Sequence, residues 1–163
     1  MSNPKETSAE KSDATTGSPD RRRQVMAILA RASGKELSEA WSQWPDRPHV
    51  SPLRGPETGL VMLRGRIGGG GAPFNFGEAT VTRATVKLST GQVGHAYALG
   101  TDSSRVRHAA IFDALWQNDA CRATVEERLI APVKDRLAAE DQKRRDETAA
   151  TKVDFFTMVR GED

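Results

Sequence analysis

The pattern of apolar residues predicts an α+β domain, an antiparallel β-meander flanked by N-terminal and C-terminal helices. Three observations carry this. From Val93 to Gly100 the larger residues Val93, His95, Tyr97 and Leu99 alternate with Gly94, Ala96, Ala98 and Gly100, the period of two that a strand requires. Two strand-like runs precede this one, separated by the glycines Gly68 to Gly71 and by Ser89-Thr90-Gly91, short connections of the kind that join antiparallel neighbours. On both sides the period is helical, with Val25, Ile28 and Leu29 before the strands and Ile111, Phe112, Leu115 and Trp116 after them.

Taken in order, residues 1–20 are nearly devoid of apolar side chains and contain Pro4 and Pro19. They cannot bury enough surface to offset their ordering entropy, so a disordered extension is expected ahead of a single domain over 21–163. Asp20 is placed to cap a first helix and Gly34 to end it. Residues 36–44 form a second helix stopped by Pro45, and Pro48, Pro52 and Pro56 then predict an extended connector. Leu60-Val61-Met62-Leu63 begins the first strand, which runs on through Arg64-Gly65-Arg66-Ile67 into the glycine turn. The second strand, 76–88, breaks phase: Ala79 and Val81 are odd, Val86 and Leu88 even, so a bulge or bend is expected near Arg83. The small face of the third strand would let a helix or another chain approach closely. Asp102 or Ser103 caps the next helix, Pro132 interrupts the one after, and 134–147 alternates five bases with five acids as a solvated helix should. The order is α-α-β-β-β-α-α.

The chain has 163 residues, 28% of them charged, and a net charge of +2. That near-balance argues against a general nucleic-acid binder, and no run of apolar residues approaches the ~18 that a membrane span needs. The first twenty residues carry two lysines against four acids, so the basic excess sits in the body. This acid content and the lack of an apolar core speak against a leader peptide. A single cysteine, Cys121, leaves no internal disulfide and no all-cysteine metal site. A cytoplasmic protein is the expectation.

The residue types that do chemistry are sparse. The glycine run is followed by Ala72-Pro73 and not by the Lys-Ser/Thr of a phosphate loop, and a hairpin turn is the simpler reading. His49, His95 and His108 are scattered, without the close spacing of a metal pair. No catalytic residue, metal ligand or cofactor site is expected in this chain. Arg64 and Arg66 alternate on a strand face with Leu60 and Met62, and Arg83 stands on the next strand. These three guanidiniums suit forked recognition of phosphates or of a partner's carboxylates, with solvated surface arginines as the plain alternative. Phe155-Phe156-Thr157-Met158-Val159 follows a highly charged helix near the terminus. Left exposed it would aggregate, so Phe155, Phe156 and Met158 are expected to fold back or to dock on another subunit.

Several motifs then occur in a known order: Glu57-Thr58-Gly59-Leu60-Val61, Arg66-Ile67-Gly68-Gly69, residues Phe76-Gly77-Glu78-Ala79-Thr80-Val81-Thr82-Arg83-Ala84, Asp113-Ala114-Leu115, Leu129-Ile130-Ala131-Pro132 and the ending Val153-Asp154-Phe155-Phe156-Thr157-Met158-Val159-Arg160-Gly161. Together they resemble the G subunits of the carbon–phosphorus lyase core complex of bacterial phosphonate metabolism. The resemblance implies a non-autonomous transferase subunit without assigned catalytic residues. Its implied partners are the I subunit directly, the H and J subunits in a hetero-oligomeric core, and the L subunit functionally. With ATP and an alkylphosphonate as substrates, the implied reaction displaces adenine from ATP. The alternative is an interaction subunit that stabilises the I subunit without touching substrate. Where the family often has Arg-Asp and then His-Ala-Glu, this chain has Thr101-Asp102 and Arg105-Val106-Arg107.

Overall fold

The computed structural model describes residues 19–66 and 70–151. The 1–20 extension, apart from its last two residues, and the C-terminal Phe155, Phe156 and Met158 lie outside the described residues. The observed order is α1 (Pro19–Arg31), α2 (Gly34–Ser42), β1 (Val50–Gly65), β2 (Phe74–Leu88), β3 (Val93–Leu99), α3 (Ser103–Gln117), α4 (Asp119–Val125), one π-helical turn (Glu126–Ile130) and α5 (Ala131–Ala150). The three strands form one antiparallel sheet in the order β1-β2-β3, which is the expected meander.

Three local expectations need correction; Asp20, expected to cap α1, lies inside its first turn, since the helix already includes Pro19. Gly34 opens α2 instead of closing α1, because Ser33 caps it: its hydroxyl accepts the Glu36 N–H while the Glu36 carboxylate accepts the Ser33 N–H. The proline-rich stretch before Leu60 is not a connector, since β1 already begins at Val50. Pro52 and Pro56 are tolerated because β1 is an edge strand, whose outward N–H groups have no ladder partner to lose. The phase break is real but sits across the ladder. Between Pro52 and Glu57 the register slips twice, each time with one extra residue in β1, opposite the stretch of β2 from Val86 to Arg83.

Residues paired across the ladder share a face, which places Thr82, Ala84, Val86 and Leu88 toward α3. There they meet Val106, Ala110, Ile111, Phe112, Leu115 and Trp116, all at most 1% exposed. The small face of β3 turns to the same helix. A Cβ built on Gly94 would lie 1.9 Å from the Ala110 carbonyl oxygen and 2.6 Å from the Ala114 nitrogen, so the helix backbone rests on the strand backbone. On the opposite face Glu57, Arg83 and Tyr97 form one cross-strand row.

The C-terminal helices close the core from the side. Val125, Leu129, Ile130 and Val133 are buried, and Pro132 sits in the first turn of α5, where its missing N–H costs least. Arg136 then reaches back to the start of α2, donating to both Glu36 oxygens at 2.7 and 3.0 Å. Burial pushes the Glu36 carboxyl up, but these bonds and those from Ser33 outweigh it and hold the group below its usual range. His108 lies half-buried beside Trp41, ring centroids 6.5 Å apart, with its Nδ1 enclosed and without a partner among the described residues.

Two outcomes follow for stability. Gly94→Ala is expected to destabilise the fold by about 3 kcal/mol, the upper end for an overpacked core, because the atoms met are helix backbone. Denaturant unfolding reads this directly, against Gly55→Ala as control, where the added methyl meets nothing within 4 Å. For His108, burial above all and then Arg107 depress the pKa. The unfolded chain therefore binds the proton more readily, and stability is lost as pH falls through about 6.5. A melting-temperature profile should be flatter over pH 5–7 in His108→Gln than in the wild type.

Candidate functional site

Asp113 is the one acid in the buried run of α3, and it is completely enclosed. An isolated carboxylate there would be costly, so its partners define the interior polar site. Arg22 of α1 meets it with a two-pronged pair, Nε to Oδ1 at 3.0 Å and Nη2 to Oδ2 at 2.8 Å. The backbone N–H of His95 donates to Oδ2 at 2.8 Å. Arg22 is held above its ordinary pKa, chiefly by the hydrogen bond to Asp113 and against the opposing effect of burial. Sequence reading missed this pair because 91 residues separate its members. The available signal was a lone acid in the run Ala109-Ala110-Ile111-Phe112-Asp113-Ala114-Leu115-Trp116, which demands a cation from elsewhere.

In front of the pair opens a groove of about 800 Å³, lined by Arg22, Arg23, Arg122, His95, Trp116 and others. Its cations are already matched. Arg22 binds Asp113, Arg23 binds Asp20 at 3.2 Å, and Arg122 binds Asp119 at 2.6 Å while lying over the Trp116 ring. Trp116 in turn donates to Glu126, which also pairs with Arg21 at 2.7 Å. The Arg23 and Arg122 pairs are made within their own helices, while Arg22–Asp113, Arg21–Glu126 and the bond from Arg122 to the Trp116 carbonyl tie the neighbouring helices together. His95 is exposed, its Nδ1 3.1 Å from the Thr85 hydroxyl. Among the described residues no three His, Cys, Asp or Glu side chains gather as metal donors. Cys121 is half-buried against the core.

The sequence-selected arginines are not brought together. Arg83 lies on the face away from α3, its guanidinium 3.2 Å from Glu57, which Arg54 also approaches at 3.5 Å. Arg64 stands seven residues along β1 from Glu57, roughly 23 Å at strand rise, and on the other face with Leu60 and Met62. One phosphate group cannot bridge Arg83 and Arg64. Arg64 and Arg66 have no ion-pair or hydrogen-bond partner among the described residues.

They belong instead to a projection. The last β2–β3 pair is Val81 with Leu99, but β1 and β2 stay paired from Leu60–Thr80 out to Gly65–Phe74. This two-stranded ribbon leaves Leu60 65%, Met62 56%, Phe74 43% and Phe76 59% exposed.

The Arg22–Asp113 pair yields an asymmetric expectation. Arg22→Met strands a wholly buried carboxylate and should cost about 3–5 kcal/mol. Asp113→Asn should cost less, since the Arg22 side chain is 31% exposed and can turn to water. Equal losses in paired denaturant titrations would refute this ordering.

Comparison with known proteins gives the chain its place. Residues 20–161 match the family model described as phosphonate metabolism protein PhnG. A curated protein of Rhizobium meliloti (strain 1021), named alpha-D-ribose 1-methylphosphonate 5-triphosphate synthase subunit PhnG, is 66% identical over 142 residues, which are 87% of this chain and 90% of that protein. The resemblance read from the ordered motifs is thereby borne out. The chain belongs to the PhnG family of phosphonate metabolism proteins.

Proposed function

We propose that this chain is a non-autonomous subunit of an α-D-ribose 1-methylphosphonate 5-triphosphate synthase, acting with the H, I and L subunits in a carbon–phosphorus lyase system. In the proposed reaction a phosphonate oxygen of an alkylphosphonate attaches to C1′ of ATP, the C1′–N9 bond breaks, and adenine leaves with a proton. The triphosphate stays on the ribose. The observation that carries the reading is the relative at 66% identity, a synthase subunit by name, over nearly the whole of both chains. The fold supports it. The groove's arginines each have an acidic partner within the chain, and four of the exposed large apolar side chains, Leu60, Met62, Phe74 and Phe76, gather on a projecting ribbon.

The I subunit is the direct partner in this proposal, with H and J completing a core complex and L joining functionally. The chain brings no cofactor of its own, and the setting is the cytoplasm, where ATP is held. No helix among the described residues is long and apolar enough to cross a membrane. Phe155, Phe156 and Met158 serve docking in the same proposal. A scaffold that stabilises the I subunit without touching substrate is the second reading, favoured by the ion pair that Arg83 already makes within the chain.

Purified alone, the chain is expected to release no adenine from ATP and an alkylphosphonate, and to hydrolyse no ATP, while the reconstituted G, H, I and L subunits do release adenine. Chromatography of the products reads both arms. Adenine release by the isolated chain, or undiminished release from a mixture lacking it, would overturn the proposal. Arg83→Ala separates the two readings: intact assembly with slower adenine release marks contact with substrate, and unchanged assembly and rate mark the scaffold.

A further inference from the structure

The projecting end of the sheet is unlike the rest of the surface. In the body the outer edge of β3 is partly covered: the His95 N–H goes to Asp113, while the Val93 and Leu99 carbonyls accept from Gln117 and Arg105. Prolines and register slips blunt the matching part of β1. Past the Val81–Leu99 pair the ribbon has no third strand among the described residues, and two-stranded ribbons are marginal in water unless packed against something. On it Leu60, Met62, Phe74 and Phe76 are uncovered, and Arg64 and Arg66 lack partners among the described residues.

We propose that this ribbon is the element by which the chain enters its complex, seated in an apolar cleft rimmed by carboxylates on a different subunit of the synthase; this rests on the subunit reading above. Charge decides the occupant. A second copy would bring two ribbons of the same net positive charge together, each with Arg64 and Arg66 against the single acid Glu78, so that one arginine per copy has no acid to meet. A small anion would neutralise the arginines but leave the four apolar side chains in water. A protein cleft with an acidic rim that grips both faces of the ribbon, Leu60 and Met62 on one and Phe74, paired with Gly65, on the other, satisfies both sets at once.

The test is co-purification of the full chain with affinity-tagged partner subunits from cells expressing the whole set. Leu60→Ser/Met62→Ser and Arg64→Glu/Arg66→Glu are each expected to lower recovery at least tenfold, with Lys134→Glu on α5 unchanged. The melting temperature of each isolated variant shows whether the body still folds. A photo-crosslinker on Met62→Cys, in a Cys121→Ser background, should link the assembled chain to another subunit. Wild-type recovery of both ribbon variants would overturn the proposal, as would crosslinks joining two copies of this chain. Full recovery with slowed adenine release in Arg64→Glu/Arg66→Glu would place these arginines on substrate and also overturn it. Failure of the wild type to co-purify would instead bring down the subunit reading itself.

Discussion

Everything in the body is arranged around one buried carboxylate. Asp113 is enclosed at the centre of α3, and its two oxygens are shared between the Arg22 guanidinium and the backbone of β3. Such a pair contributes little net stability, because desolvating two charges offsets most of their attraction. What it does is fix geometry. With Arg22 in place α1 can take only one angle to α3, and with the His95 N–H in place β3 can take only one height along the helix. Gly94 supplies the complementary constraint, since contact between backbones tolerates no slippage. Attraction sets where the helix sits, and repulsion sets how close.

The same carboxylate helps to cover one edge of the sheet. A three-stranded sheet has two free edges, and each is a template for pairing with another chain. Here the edge of β3 is partly occupied by α3 side chains, and the edge of β1 is spoiled by Pro52, Pro56 and the two register slips. Protection stops where the third strand stops. Leu53, Tyr97 and Leu99 are exposed on the body too. But a chain that covers part of its body edges and gathers Leu60, Met62, Phe74 and Phe76 on one projection has set folding and association largely apart. That division is what a subunit requires, and the match to the PhnG family over residues 20–161 agrees with it.

Much of this was legible in the sequence, and the failures have physical causes. The meander was legible because turns and alternation are local: Ser89-Thr90-Gly91 bounds two strands, and Gly91 takes the left-handed conformation, φ 100°, that such a turn demands. The close approach along β3 was legible because small residues recur every second position. The start of β1 was not, because proline in an edge strand and proline in a connector look alike until the sheet order is known. Nor could Arg83 be told from Arg64. One finds Glu57 across the ladder only because β1 holds two extra residues, and register is not local information. The Arg22–Asp113 pair is long-range in the same sense.

The two projections from the body make the final contrast. Beyond Leu137, α5 continues for thirteen residues with no buried side chain, and its exposed faces carry Arg136–Glu140, Lys143–Glu147 and Gln142–Asp146 contacts at i,i+4 spacing. Pairs of this kind contribute only about 0.3–0.5 kcal/mol each, but they suit a helix whose backbone bonds are all internal and whose side chains remain in water. The ribbon has the opposite chemistry. Half of its backbone groups face outward, and its large side chains are Leu60, Met62, Phe74 and Phe76. A polar helix can stand alone in solvent. An apolar ribbon of about 20 Å with open edges gains from being covered. Of these two overhangs among the described residues, the ribbon is the one with a physical reason to be enclosed by another chain, and that reason is independent of the family's name.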